Sequence, residues 1–188
     1  MAPQVPTQRT QTRDAIVKTH SITPRNSWGT ITPKYNKLVL DWNYDCVAVH
    51  HSGNWGYKDP KDIENLHMNK NGYDDVGYHY LIHPNGTIYE GREIVYKGSH
   101  VRLKNTGKIG ILMMGDYDHQ LLDWNDDTLS QKHLLKLKEL IKTLKKHFPL
   151  KKLGGHKEYL PNSGYTCPGG ELMKVMGQLR KDLSLNVP

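Results

Sequence analysis

Apolar residues along the chain fall into blocks with two distinct periods. Cys46 to His50 (CVAVH) is a short, β-rich apolar run bounded by polar residues, the pattern of a buried strand. Tyr78 to His83 (YHYLIH) and Thr87 to Glu90 (TIYE) predict two further strands, and Pro84-Asn85-Gly86 between them has the turn chemistry of a hairpin. Lys108 to Met114 (KIGILMM) predicts another buried strand. Elsewhere the spacing is helical. Asp59 and Pro60 suit the cap and first turn of a helix that places Ile63, Leu66 and His67 on one face and closes at Gly72. Leu134, Leu137, Leu140, Ile141, Leu144 and Phe148 recur at helical spacing, with Thr128 and Gln131 as the expected capping box and Pro149 as the stop. A last helix is predicted from about Gly170 to Leu183, with Leu172, Val175, Met176 and Leu179 inward. Strands mixed with helices predict the α/β class: a single domain with a mixed central β-sheet flanked by helices. Residues 1–24 are polar, carry Pro3, Pro6 and Pro24, and show little periodicity; they read as a flexible arm before a domain spanning 25–188.

Composition changes this picture little. A length of 188 residues fits one ordinary domain with a core that needs no staples. The net charge of +7 favours polyanions, among them nucleic acid, anionic membranes and acidic wall polymers, without choosing between them. Many of the lysines lie between Lys132 and Lys152 on a helix whose other face is apolar, which reads as a solvated face. No nucleic-acid-binding motif is present and the chain has a single Phe, so a nucleic-acid partner is not expected. Two cysteines, Cys46 and Cys167, make no disulfide framework. Cys46 precedes His50 by four residues on a strand, shares its face, and reads as a core thiol. No window has the ~18 apolar residues of a membrane span. The N-terminus lacks the apolar run of a signal peptide.

The candidate chemistry lies in the histidines. Eleven are present. His50 and His51 close an apolar strand, His156 follows Gly154-Gly155, and Cys167 stands in Tyr165-Thr166-Cys167-Pro168-Gly169-Gly170. Two imidazoles and a thiolate would give Zn2+ three ligands and leave a fourth position open, the pattern of catalytic zinc. The spacing of these residues has no generic significance by itself.

Order along the chain adds the missing weight. Arg25-Asn26-Ser27-Trp28-Gly29, Val47-Ala48-Val49-His50-His51-Ser52, Leu66-His67-Met68, the dense run from Gly72 to Ile82, Ile88-Tyr89-Glu90-Gly91-Arg92, Gly98-Ser99-His100, Asn105, Ile109-Gly110-Ile111 through Gly115-Asp116-Tyr117, Gly155-His156-Lys157 and Thr166-Cys167-Pro168-Gly169 occur in sequence. From Trp28 onward the chain resembles the family of peptidoglycan recognition proteins and type 2 N-acetylmuramoyl-L-alanine amidases. The resemblance implies one Zn2+ held by His50, His156 and Cys167, with Tyr78 as a catalytic tyrosine. It places His51, His79, His100 and Asn105 near the substrate groove and gives His67 and Arg92 structural roles. It implies hydrolysis of the amide between N-acetylmuramic acid and L-alanine in peptidoglycan, or, alternatively, recognition of the wall without cleavage.

Two departures stand out. The family usually carries Lys, Thr or Ser two residues before the last metal ligand; here that position is Tyr165, so electrophilic help falls to Tyr165, Thr166 or Lys157. A Gly-Trp pair that marks diaminopimelate preference in several relatives is replaced by Glu93-Ile94, leaving the stem-peptide type open. The expected setting is the cell wall, periplasmic or extracellular, reached by a signal-independent route as an endolysin or toxin effector. The expected partners are peptidoglycan and an immunity or inhibitor protein, with the chain itself a monomer.

Overall fold

A computed structural model describes residues 4–53, 57, 59–118 and 127–188. Its centre is β1 (Cys46–His51), a strand buried at every position. It pairs in parallel with β4 (Lys108–Met113) on one side and with β5 (Lys152–Gly155) on the other. Beyond β4 lie β2 (Tyr80–Ile82), parallel to it, and β3 (Ile88–Glu90), antiparallel to β2, so the order is β3-β2-β4-β1-β5. A parallel sheet covered on both faces needs near-continuous apolar strands, which is why β1 and β4 read as unbroken runs.

The pleat divides these strands between two layers. Val47, Val49, Ile109, Ile111, Met113, Tyr80 and Ile82 join the main core, where α4 (Gln131–His147) contributes Leu137, Leu140, Ile141 and Leu144, and α6 (Gly170–Leu183) contributes Leu172, Met176 and Leu179. On the opposite face Cys46 and Ala48 pack with Val101 and Tyr159, while Leu81 and Leu112 pack with Trp28, Ile63 and Val76. His50 belongs to this second face, in register with Leu112. The mixed sheet flanked by helices agrees with the sequence expectation.

Several local expectations need correction. The expected arm over 1–24 is not loose where the structure describes it, from residue 4 on: Thr7–Thr19 is helix α1, with Ile16 fully buried in the main core. Its Arg13 pairs with buried Glu90. A helix that is polar nearly all round carries no periodic signal and draws its stability from such tertiary contacts. The α4 cap is Ser130, whose hydroxyl accepts from the His133 amide, rather than Thr128. Tyr78 and His79 precede β2 instead of belonging to it. After the single turn α2 (Arg25–Trp28), the helix opened by Asp59 and Pro60, α3 (Pro60–Glu64), runs on into a wider π-type turn, Asn65–Lys70. Lys152–Gly155, two of whose four residues are glycines, was not expected as a strand.

Chain outside the sheet covers its margins. After α1, the Thr23 amide donates to Ile88 O and the Glu90 amide to Thr23 O, along the free side of β3. At the other margin, the Leu153 amide donates to Asn186 O and the Asn186 amide to Lys151 O, along β5.

Two fully buried histidines set a pH dependence. The His133 Nε2–H donates to Ile82 O (2.8 Å) and Nδ1 accepts from the Tyr117 hydroxyl (2.8 Å). His79 Nδ1 accepts from the Gly110 amide (2.9 Å) while its Nε2–H donates to Tyr96 O (2.9 Å). Burial pushes both imidazoles down to about 4. In the unfolded chain they protonate near pH 6.5, so below that value the unfolded state binds more protons. The stability held in these neutral rings is complete above pH 6.5 and is lost as pH falls towards 4, by roughly 3 kcal/mol per histidine. Urea midpoints at pH 7 and pH 4.5 read this directly, and an unchanged midpoint would contradict it.

Candidate metal centre and cleft

Three segments, the last two about a hundred residues after the first, converge at the C-terminal end of β1. β1 delivers His50; β5 leads directly into α5 (His156–Tyr159), whose first residue is His156; the loop before α6 delivers Cys167. The approach is close because Gly155 has no side chain: a Cβ there would lie 2.4 Å from Pro168 Cδ and 2.8 Å from Met173 Sδ. The Lys157 amide donates to Cys167 O (2.9 Å), tying this loop to α5.

One ligand atom from each of His50, His156 and Cys167 lies within 4.8 Å of the others. His50 Nδ1 is 3.6 Å from Cys167 Sγ. Hydrogen bonding fixes which nitrogen of His50 is free. His100 Nε2 lies 3.3 Å from Lys108 O, a pure acceptor, so it carries the proton and leaves Nδ1 bare. That Nδ1 sits 3.0 Å from His50 Nε2 and accepts its proton, so the lone pair of His50 Nδ1 faces the thiol. His156 Nε2 is buried with no hydrogen-bond partner among the described residues. Burial lowers both His50 and His156, which keeps them neutral, the form that ligates. Burial raises the Cys167 thiol to about 12, against the His51 amide that donates to it. An orphaned imidazole nitrogen, a second bare nitrogen and a thiol that only a cation would deprotonate form a donor set suited to zinc.

Beside these residues opens a cleft of about 500 Å3, lined by His67, Tyr73, Tyr78, Ser99, His100, Arg102, Leu103, Asn105, His156 and Tyr165. The Tyr78 ring lies 5.0 Å from that of His50 and 5.3 Å from that of His67. Burial and the neighbouring thiol push its hydroxyl up, so it remains a proton donor. Tyr165 stacks on His156 with ring centroids 4.8 Å apart. Asn105 Oδ1 accepts from the amides of His100 (2.8 Å) and Val101 (2.7 Å), so it shapes the turn that aims the His100 ring.

The structure thus brings together His50, His156, Cys167, Tyr78, His100, Asn105 and Tyr165. Four other expected residues lie elsewhere. The His51 ring is on the opposite side of the pleat, where Nδ1 accepts from the Tyr117 amide (3.2 Å); only its backbone amide reaches Cys167. His79 sits behind His100, its ring 5.8 Å away, and does not line the cleft. Lys157 and Thr166 are exposed and outside the lining. His67 lines the cleft, yet its Nδ1 is occupied by the Gly77 amide (3.0 Å). Arg92 holds three carbonyls, those of Asp75, Val76 and Lys97. The rim residues Tyr73, Arg102 and Leu103 were not foreseen; their role depends on tertiary placement, and Leu103, 94% exposed at φ 62°, gives no periodic signal.

A profile described as N-acetylmuramoyl-L-alanine amidase matches residues 41–170, well over half of the chain. The chain belongs to this amidase family. Among curated relatives, peptidoglycan-recognition protein SD of Drosophila simulans is 38% identical over 60 residues, 32% of each chain. Peptidoglycan-recognition protein LB of Drosophila melanogaster is 28% identical over 167 residues, covering 83% of this chain and 67% of the relative. The chain thus spans about a third of the first relative's length. An endolysin N-acetylmuramoyl-L-alanine amidase from Clostridium intestinale shares the fold, with a TM-score of 0.70 at 23% identity over 88% of this chain and 96% of that one.

The relay from His50 through His100 to Lys108 predicts a measurable effect in this amidase fold. His100→Ala removes the acceptor that fixes the His50 tautomer, and zinc affinity is expected to fall about 10–100-fold. Competition with a chromophoric chelator measures it; unchanged affinity would remove His100 from the support of the site.

Proposed function

We propose that the chain is a zinc-dependent amidase that hydrolyses the bond between N-acetylmuramic acid and the L-alanine of the stem peptide. The observation that carries this reading is the convergence of two neutral imidazoles and a half-buried thiol beside an open cleft. Zinc in such a site lowers the pKa of water and polarises a carbonyl oxygen. The residues of the chain supply the rest. Tyr78, kept protonated, donates a hydrogen bond to the amide oxygen as negative charge develops there. His100 holds His50 in one tautomer, and Tyr165 buttresses the His156 ring. The cleft receives the peptide between Tyr73, Tyr78 and the turn carrying His100. Action at the bacterial wall, as an endolysin or lytic effector, accords with the shared fold of the Clostridium intestinale endolysin.

One observation favours the alternative of recognition without cleavage. Tyr165, 44% exposed, stands two residues before Cys167, where amidases of the family usually carry Lys, Thr or Ser. Digestion of peptidoglycan of both stem-peptide types by native, chelator-treated and zinc-restored protein separates the readings. Mass spectra are expected to show free stem peptides beginning at L-alanine from the native and restored samples alone. Wall binding without release from either type would favour recognition.

A further inference from the structure

The charge of the chain is concentrated in one place. The stretch from Lys132 to Lys152 holds eight lysines against one acid, Glu139, a local net of +7; the 18 basic and 18 acidic residues elsewhere cancel. At about 100° per residue, the six lysines of this stretch within α4 fall in roughly half of the helix circumference, opposite the fully buried Leu137, Leu140, Ile141 and Leu144. Lys151 and Lys152 extend the patch to the start of β5 and are exposed. Lys136 pairs with Glu139 and Lys138 with Asp182, and the Lys145 ammonium caps Leu183 O and Ser184 O. Lys132, Lys142 and Lys146 are exposed and carry no ion pair among the described residues. Beside the stripe runs an open groove of about 490 Å3 between the end of α1 (Thr19, His20, Ser21) and the α4 residues Lys136, Glu139, Lys142, Thr143 and Lys146, where three lysines outnumber one carboxylate. This whole surface lies behind the main core, on the face of the sheet opposite His50.

We infer that this face is a second binding surface, which holds a flexible phosphodiester-linked polymer of the bacterial wall while the cleft stays free. A solvated helix face needs no such excess, since the remainder of the surface balances its charges. The stretch contains lysines and no arginine: point charges on mobile stems suit a diffuse row of phosphates rather than the forked recognition of a single group. Leu135 is the one large exposed apolar residue of the helix among those described, too little for insertion into a bilayer. No exposed aromatic residue lies on the stripe among the described residues, so nothing there stacks nucleobases.

The inference goes beyond the amidase reading, because binding is read without turnover. The full chain is sedimented with cell walls that carry their phosphodiester polymer and with the same walls after the polymer has been stripped. Affinity for the polymer-bearing walls is expected to drop about 50-fold between 50 and 200 mM salt if four phosphates are engaged. Stripped walls are expected to bind roughly tenfold more weakly or worse. The triple variant Lys132→Gln, Lys142→Gln, Lys146→Gln is expected to lose roughly tenfold or more on intact walls. Lys61→Gln, Lys70→Gln, Lys174→Gln removes the same charge elsewhere and is expected to stay within about twofold; circular dichroism checks that both variants fold. Equal binding to stripped walls, equal losses in the two triple variants, or tighter binding to duplex DNA or anionic vesicles than to the polymer would each overturn it.

Discussion

Cys167→Ala is expected to leave a folded protein that neither retains zinc nor releases stem peptides. The thiol is the only sulfur among the three donors, and the two imidazoles that remain form a neutral pair unable to balance a divalent charge. Loss of an outer partner of a metal site typically costs about 10–100-fold; loss of a ligand is expected to exceed this, with turnover down by about 10³-fold or more. Folding should survive, because Cys167 is half-buried and Pro168 and Gly169, which seat its loop, are untouched. Metal analysis after dialysis and stem-peptide release measured side by side test the two losses together. A variant that keeps equimolar zinc and normal turnover would remove Cys167 from the site.

The largest loss of stability is expected from Arg25→Ala. Arg25 is buried (3% exposed), with Nη2 2.7 Å from Glu64 Oε1 and Nε 3.2 Å from Asp75 Oδ1. Its guanidinium carbon stands 4.5 Å from the centre of the Trp28 ring. Burial raises the Glu64 carboxyl, but hydrogen bonds from Thr30, Ile31 and Arg25 outweigh it and hold the group below the usual range. Removing the cation strands two buried carboxylates, a change that costs about 3–5 kcal/mol. For a domain of this size that corresponds to roughly 10 °C or more in the thermal midpoint. Arg25→Lys keeps the charge without the fork and should fall between the two. Because Asp75 leads into Val76-Gly77-Tyr78, the loss should also loosen the wall of the cleft. A midpoint lowered by less than about 2 °C would show that the two carboxylates find other partners.

The legible parts of the fold were those where one pattern decided the outcome. β1 and β4 are buried on both faces, so their apolar runs stand out; α4 and α6 each bury one stripe, so their spacing does. β5 and α1 were missed for opposite reasons. Lys152-Leu153-Gly154-Gly155 is a strand because β1 offers it a partner and Pro168 needs its missing side chains. α1 is a helix because Ile16 and Arg13 find places on a sheet distant in sequence. At the site, His50, His156 and Cys167 were legible through the family motif alone, since their spacing is generic. His51 illustrates the converse: adjacent histidines read as a unit, whereas a strand turns neighbours to opposite faces, a signal the alternation already contained. Arg102 and Leu103 carried none, because a rim exists only once the chain is folded.

The pairing of Thr23 with β3 and of Asn186 with β5 gives the molecule a social property. Each margin of the sheet is occupied by a piece of the same chain, so a neighbouring molecule meets a closed seam rather than a row of unpaired amides. A protein bearing these seams can crowd onto a polymeric surface at high local density without zipping to its neighbours through their strands.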